Sequence, residues 1–77
     1  MENKSYKLIR LIPTDKYQLD KINEWQHNPE FDVWTNRIKG LNKSVDVLLS
    51  PVQYFKYKRL FSENNLNFSV LDSNIQK

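Results

Sequence analysis

Between Val45 and Gln53 the chain passes from an alternating run straight into a helix start, with no loop between them. Val45-Asp46-Val47-Leu48-Leu49 has the two-residue period of a strand. Ser50, Pro51 and Gln53 follow at once: a serine N-cap, a proline at the first helical position and a glutamine at capping-box spacing. A strand joined so abruptly to a helix asks for a helix braced against the strand's own sheet. That junction sets the register in which the rest of the chain is read.

With 77 residues there is room for one domain, which hides about 60% of the surface its unfolded chain exposes. The core must therefore be small. Apolar residues amount to 39%, but ten side chains are aromatic, and each of these brings far more buried area than an alanine. No stretch is biased in composition or repeated, so a single module over residues 1–77 is expected, with 1–5 as an N-terminal tail, 6–72 as the core and 73–77 as a tail or the start of a connecting segment.

Residues 6–12 are rich in β-formers, with Ile9 and Leu11 on one face and Leu8, Arg10 and Ile12 on the other. Pro13 ends this strand. Thr14 or Asp15 can cap a helix, with Asp15 and Gln18 at capping-box spacing, and Leu19, Ile22 and Trp25 recur at helical intervals before Asn28-Pro29 stops the pattern near His27. Phe31-Asp32-Val33-Trp34 alternates and leads through residues 36–44 into the strand at Val45, which predicts a hairpin with a long connection. In the second helix Tyr54, Tyr57 and Phe61, with Leu60 beside them, make the apolar stripe, while Lys56, Lys58 and Arg59 point elsewhere. Asn64-Asn65 supplies a left-handed stop, Leu66, Phe68 and Val70 alternate as a last strand, and the chain is expected to trail off from Asp72.

The order is βαββαβ, which predicts an α+β, ferredoxin-like open sandwich: a four-stranded antiparallel sheet with two helices on one face. Right-handed crossovers put the first and third strands in the centre. The uncovered face, with Leu8, Ile12 and Val33 assigned to it, looks more apolar than a wet surface requires.

Catalysis finds little to work with. His27 is the lone histidine: no cysteine or close carboxylate pair joins it to make a zinc site, and as the one possible base it gives no convincing Ser-His-Asp set. Asp15 and Asp20 read as a cap and a solvated helix residue rather than as an acid-base pair. A phosphate loop needs several glycines, and Gly40 stands alone. No enzymatic activity and no cofactor are expected. An acylphosphatase-type enzyme of the same topology is the weakest of the alternatives, because Ile12-Pro13-Thr14-Asp15 replaces its glycine-bearing loop. The net charge of +3 and the basic stretch 37–43 allow a ferredoxin-like nucleic-acid or regulatory binding module. Single-strand recognition on this fold wants aromatic residues on a central strand, however, and residues 45–49 have none, so nucleic acid is not the expected partner. No run approaches the ~20 apolar residues of a membrane span, and no apolar segment follows Met1-Glu2-Asn3-Lys4 as in a signal peptide, so no membrane partner is expected either.

The longest loop lies between the second and third strands and holds the one glycine; loops on a rigid sheet often carry recognition. Trp34, Thr35, Asn36, Arg37, Ile38, Lys39, Gly40, Leu41 and Asn42 are therefore the candidate partner-binding residues. Competing readings are a plain core or edge aromatic for Trp34 and simple solvation for Arg37 and Lys39.

Phe31-Asp32-Val33-Trp34, the loop with its glycine, Val45-Asp46-Val47 before a proline-opened helix, Leu66-Asn67-Phe68-Ser69-Val70 and Asn74-Ile75-Gln76 together resemble the activation-peptide (pro) domain of zinc metallocarboxypeptidases of the A/B type. That family has Leu-Asp-Phe-Trp, Ile-x-Tyr-x-Val and Asp-Val-Gln at the corresponding places. The resemblance implies an inhibitory domain and folding aid that covers the active-site funnel of a zinc carboxypeptidase, with the loop near the substrate subsites. The zinc would then belong to the partner enzyme. The chain departs from some members, whose loop carries an acidic residue: residues 36–44 have no carboxylate, which leaves steric cover and hydrogen bonding through Asn36 or Asn42. Because the chain ends at Lys77, where a connecting helix would begin, the resemblance implies one of two things. Either this is the excised prodomain of a secreted or digestive zymogen, acting in cis, or it is a free-standing inhibitor acting in trans with its compartment open; a monomer is expected when free.

Overall fold

The computed structural model describes residues 5–34 and 38–76. Six elements follow in order: β1 (Ser5–Ile12), α1 (Lys16–Trp25), β2 (Asp32–Val33), β3 (Val45–Leu49), α2 (Pro51–Glu63) and β4 (Asn67–Gln76). The strands form one antiparallel sheet in the order β2-β3-β1-β4, so β1 and β3 occupy the centre as the crossover rule requires. This is the expected α+β open sandwich.

Alternation sorts the central strands. Ile9 and Leu11 of β1 and Val45, Val47 and Leu49 of β3 are fully buried and meet Ile22 of α1 and Tyr57 and Phe61 of α2. Within this layer five aromatic rings form a chain of contacts, with Trp25, Phe31, Tyr57, Phe61 and Phe68 at centroid separations of 4.9 to 6.2 Å in mostly tilted or edge-on geometry. Val33 belongs here too. It pairs with Val47 and packs against the core, which corrects its assignment to the uncovered face. Registers of two-residue period flip every side chain on a one-residue slip, and β2, with only two residues, offered too little pattern to set its own.

Both helix starts use the caps that were anticipated. The Gln18 N–H donates to Asp15 Oδ1 at 2.8 Å, and the Gln53 N–H to Ser50 Oγ at 3.2 Å. Neither capping box closes in the usual reciprocal way. Gln53 Oε1 is buried without a hydrogen-bond partner. Gln18, buried at 4% exposure, instead becomes a clamp: its Oε1 accepts from the Thr14 N–H and hydroxyl, and its Nε2 donates to the Asn64 and Asn65 carbonyls at 3.0 Å. One side chain thus satisfies orphan groups at the start of α1 and just past the end of α2.

The stop of α2 is a Schellman turn. Asn65 takes φ of 55°, its N–H donates to Ser62 O, and the Leu66 N–H donates to Phe61 O at 2.9 Å while Leu66 and Phe61 join the same core. Helix α1 ends at Trp25, short of His27. Asn28 closes the turn through its N–H to Trp25 O and ties it down through its amide to the Tyr57 hydroxyl at 2.9 Å.

The last strand is longer than expected. Residues 73–76, read from the sequence as a tail or the start of a connecting segment, continue β4 and pair with β1, Tyr6 opposite Ile75 and Ser5 opposite Gln76. Two register shifts, between Tyr6 and Leu8 and between Leu8 and Ile9, accommodate extra β4 residues and break the alternation that would have announced this half of the strand.

Candidate interaction face and loop

The face of the sheet opposite the helices is organised by an ion pair. Arg10 of β1 and Asp46 of β3 sit directly across from each other, both at positions that alternate away from the core. Arg10 donates through Nε to Asp46 Oδ1 at 2.9 Å and through its second guanidinium nitrogen to Oδ2 at 3.1 Å, a two-pronged geometry. The hydrogen bond first, and the carboxylate's charge second, hold the Arg10 guanidinium above its ordinary pKa. Beside the pair Leu8 faces Leu48, which is buried although it lies outside the helix-side core, and Ile12 is half-buried. Leu8 and Ile12 thus lie on the helix-free side, as the alternation of β1 implies.

Trp34 extends this face. Its N–H donates to the Asp46 carbonyl at 2.7 Å, which carries the β2–β3 pairing one residue past the strand and continues the alternation onto the side of Asp32 and Asp46. Its side chain is 51% exposed, so Trp34 is an edge aromatic that solvent reaches rather than part of the core.

Of the other candidate residues, Thr35, Asn36 and Arg37 lie outside the described residues. Ile38 turns inward and packs against the core as the loop's anchor, while Lys39 is exposed. Gly40 has φ of 134°, a conformation side chains resist; a Cβ there would meet nothing within 4 Å, so the backbone angle, not crowding, calls for glycine. Leu41 is 43% exposed at the turn, which the Lys43 N–H closes onto Gly40 O at 3.4 Å. Asn42 adopts φ of 61° and its N–H donates to the Pro13 carbonyl at 2.7 Å. Residues 38–42 are thus tied down at both ends, by Ile38 in the core and by Asn42 on the β1–α1 junction, with Lys39 and Leu41 left outward and Trp34 exposed before them.

Three participants, Pro13, Arg10 and Asp46, escaped the reading of the sequence. Pro13 serves as the loop's anchor through its carbonyl, for which no side-chain pattern exists. Arg10 and Asp46 carried a usable signal, opposite charges at outward strand positions, but it needed the β1–β3 register to be read as a pair. Asp15 and Asp20 act structurally, as the α1 cap and as a partner of Lys16 one turn away. Among the described residues, no three His, Cys, Asp or Glu side chains gather where a metal ion could be held.

The site thus consists of an antiparallel sheet with one helix-free face and a β2–β3 connection tied to the core at Ile38 and to Pro13 at Asn42. Residues 9–77 match the carboxypeptidase activation peptide family, and the chain belongs to that family, one of propeptides rather than catalysts. No curated protein matches the chain significantly. Among solved structures it is similar to the crystal structure of carboxypeptidase A from Helicoverpa armigera, with a TM-score of 0.78 at 11% identity. The similarity covers 94% of this chain and 17% of that one, so it speaks for the fold of the module.

Proposed function

We propose that this chain is an inhibitory propeptide that covers the active-site cleft of a zinc metallocarboxypeptidase by steric occlusion, in cis within a zymogen or in trans, and that it assists folding of that enzyme. Membership of the activation-peptide family supports the class of partner. The observation that carries the reading is the placement of Trp34: a half-exposed indole on the helix-free face, next to a loop pinned to the core and to Pro13. Residues 38–42, tied down at Ile38 and Asn42, lose little freedom on docking, which is where much of the cost of association otherwise lies. The exposed part of the loop is basic, so contact rests on shape and hydrogen bonds rather than on a carboxylate reaching a cationic subsite. The zinc is the partner's. A secreted or digestive setting goes with the zymogen form.

Full cover of a cleft buries a standard interface, about 1,200–2,000 Å² in total. Titrating active A-type and B-type carboxypeptidases with the 77-residue chain tests the proposal. Stoichiometric loss of activity towards at least one class is expected, and full activity at micromolar chain against every enzyme tried would overturn it.

A further inference from the structure

The outer side of α2 carries a feature that neither the core nor the loop uses. Val52 and Phe55 lie one turn apart and are 74% and 73% exposed, the two most exposed large apolar side chains among the described residues. Lys56, Lys58 and Arg59 follow within the next turn and are all exposed. Lys58 Nζ stands 5.6 Å from the Phe55 ring and 5.7 Å from that of Tyr54, and Lys7 Nζ comes from β1 to 5.4 Å from Tyr54. Glu63, paired with Arg59 at 3.4 Å, is the one carboxylate on the helix. The result is an apolar ridge bordered by four cations and one anion.

We propose that this ridge docks on an anionic lipid surface, with Val52 and Phe55 entering the boundary between headgroups and acyl chains and Lys7, Lys56, Lys58 and Arg59 meeting the lipid phosphates and carboxylates. Charge complementarity selects an anionic occupant. Shape selects a deformable one: the two apolar side chains project, and the depression beside them, between Phe55, Lys56, Arg59, Leu60 and Glu63, is a shallow space of about 360 Å³ open to solvent. A projecting aromatic ringed by lysines is the arrangement with which helices lie in a bilayer interface. The lack of a spanning segment pointed away from membranes, but peripheral docking requires none, and no helix among the described residues is long and apolar enough to cross. The apolar part of the ridge is set apart from the loop: Val52 follows the Leu49 end of β3, which pairs with Lys7, whereas the loop enters β3 at its other end, at Val45.

Co-sedimentation with phosphatidylcholine vesicles, with and without phosphatidylserine, tests the proposal on the intact chain. Binding is expected only with phosphatidylserine and falls as salt rises. Phe55→Ser lowers the partition coefficient about tenfold, the loss of one buried aromatic. Lys56→Glu with Lys58→Glu lowers it by about tenfold or more. Lys39→Glu with Lys43→Glu makes the same change in net charge on the loop and is expected to have a much smaller effect. Circular dichroism checks that each variant is folded. No binding to anionic vesicles at low salt would overturn the proposal, as would an unchanged partition for Phe55→Ser or an equal loss from the loop pair. Equal competition by soluble polyglutamate would overturn it in favour of an acidic protein partner.

Discussion

The two faces of the sheet are built on opposite principles. On the helix side, burial is nearly complete and depends on shape: five aromatic rings, an aliphatic floor from β1 and β3, and one buried glutamine whose polar atoms are satisfied. On the helix-free side, Arg10 and Asp46 hold a charged pair in view of solvent, Leu48 is tucked between strands, and Trp34 stands half-exposed. The first face spends its apolar area on folding; the second keeps some in reserve. A domain so small has little core to spare, and Trp34 contributes little of its area to it.

Truncation should separate the faces, and the largest effect belongs to the covered one. Phe61→Ala removes a ring with no solvent exposure that touches Trp25, Tyr57 and Phe68. It is expected to cost about 3–5 kcal/mol, measured as a loss of the denaturant midpoint. A midpoint shift below about 1 kcal/mol would mean that the core can collapse around the gap and that the two faces differ little. Gln18→Ala should come next, at about 2–3 kcal/mol, because it strands the Thr14 N–H and the carbonyls at the end of α2. Its signature should be faster hydrogen exchange at both ends of the clamp, the α1 start and residues 64–66. At the other extreme, Trp34→Ala should move the melting midpoint by no more than about 0.5 kcal/mol, as expected for an exposed site. The same variant should inhibit the cognate carboxypeptidase at least tenfold more weakly, since aromatic anchors dominate interface energetics. If Trp34→Ala instead unfolds the chain as Phe61→Ala does, the second face is structural and the comparison fails.

Element order, both N-caps, the left-handed stop at Asn65 and the central place of β1 and β3 were legible because each rests on chemistry local to a few residues. Ser50-Pro51 needs no partner from elsewhere to announce a helix. What escaped was long-range. The Gln18 clamp depends on where α2 ends, more than forty residues on. The side to which Val33 points depends on pairing with β3, and the length of β4 was hidden by two register shifts that erased its period. The loop was legible as a loop, from its length and its glycine, but not its tethering: the bond from Asn42 to Pro13 joins two backbones and leaves no mark on side-chain identity.

The pairing of Ser5 with Gln76 has a mechanical consequence. Because β1 and β4 run antiparallel with these residues opposite each other, tension applied at the two ends of the sheet's first and last strands loads one cross-strand rung at a time. Shear across all rungs together would resist far more. Opening starts at the Ser5–Gln76 rung and soon meets the two register shifts that interrupt the ladder, while the aromatic layer lies further in, where Phe68 stands opposite Leu11. A tug on either strand end therefore peels β4 from β1 like a zipper before it disturbs the helices, so the module is unfastened from its edge rung by rung.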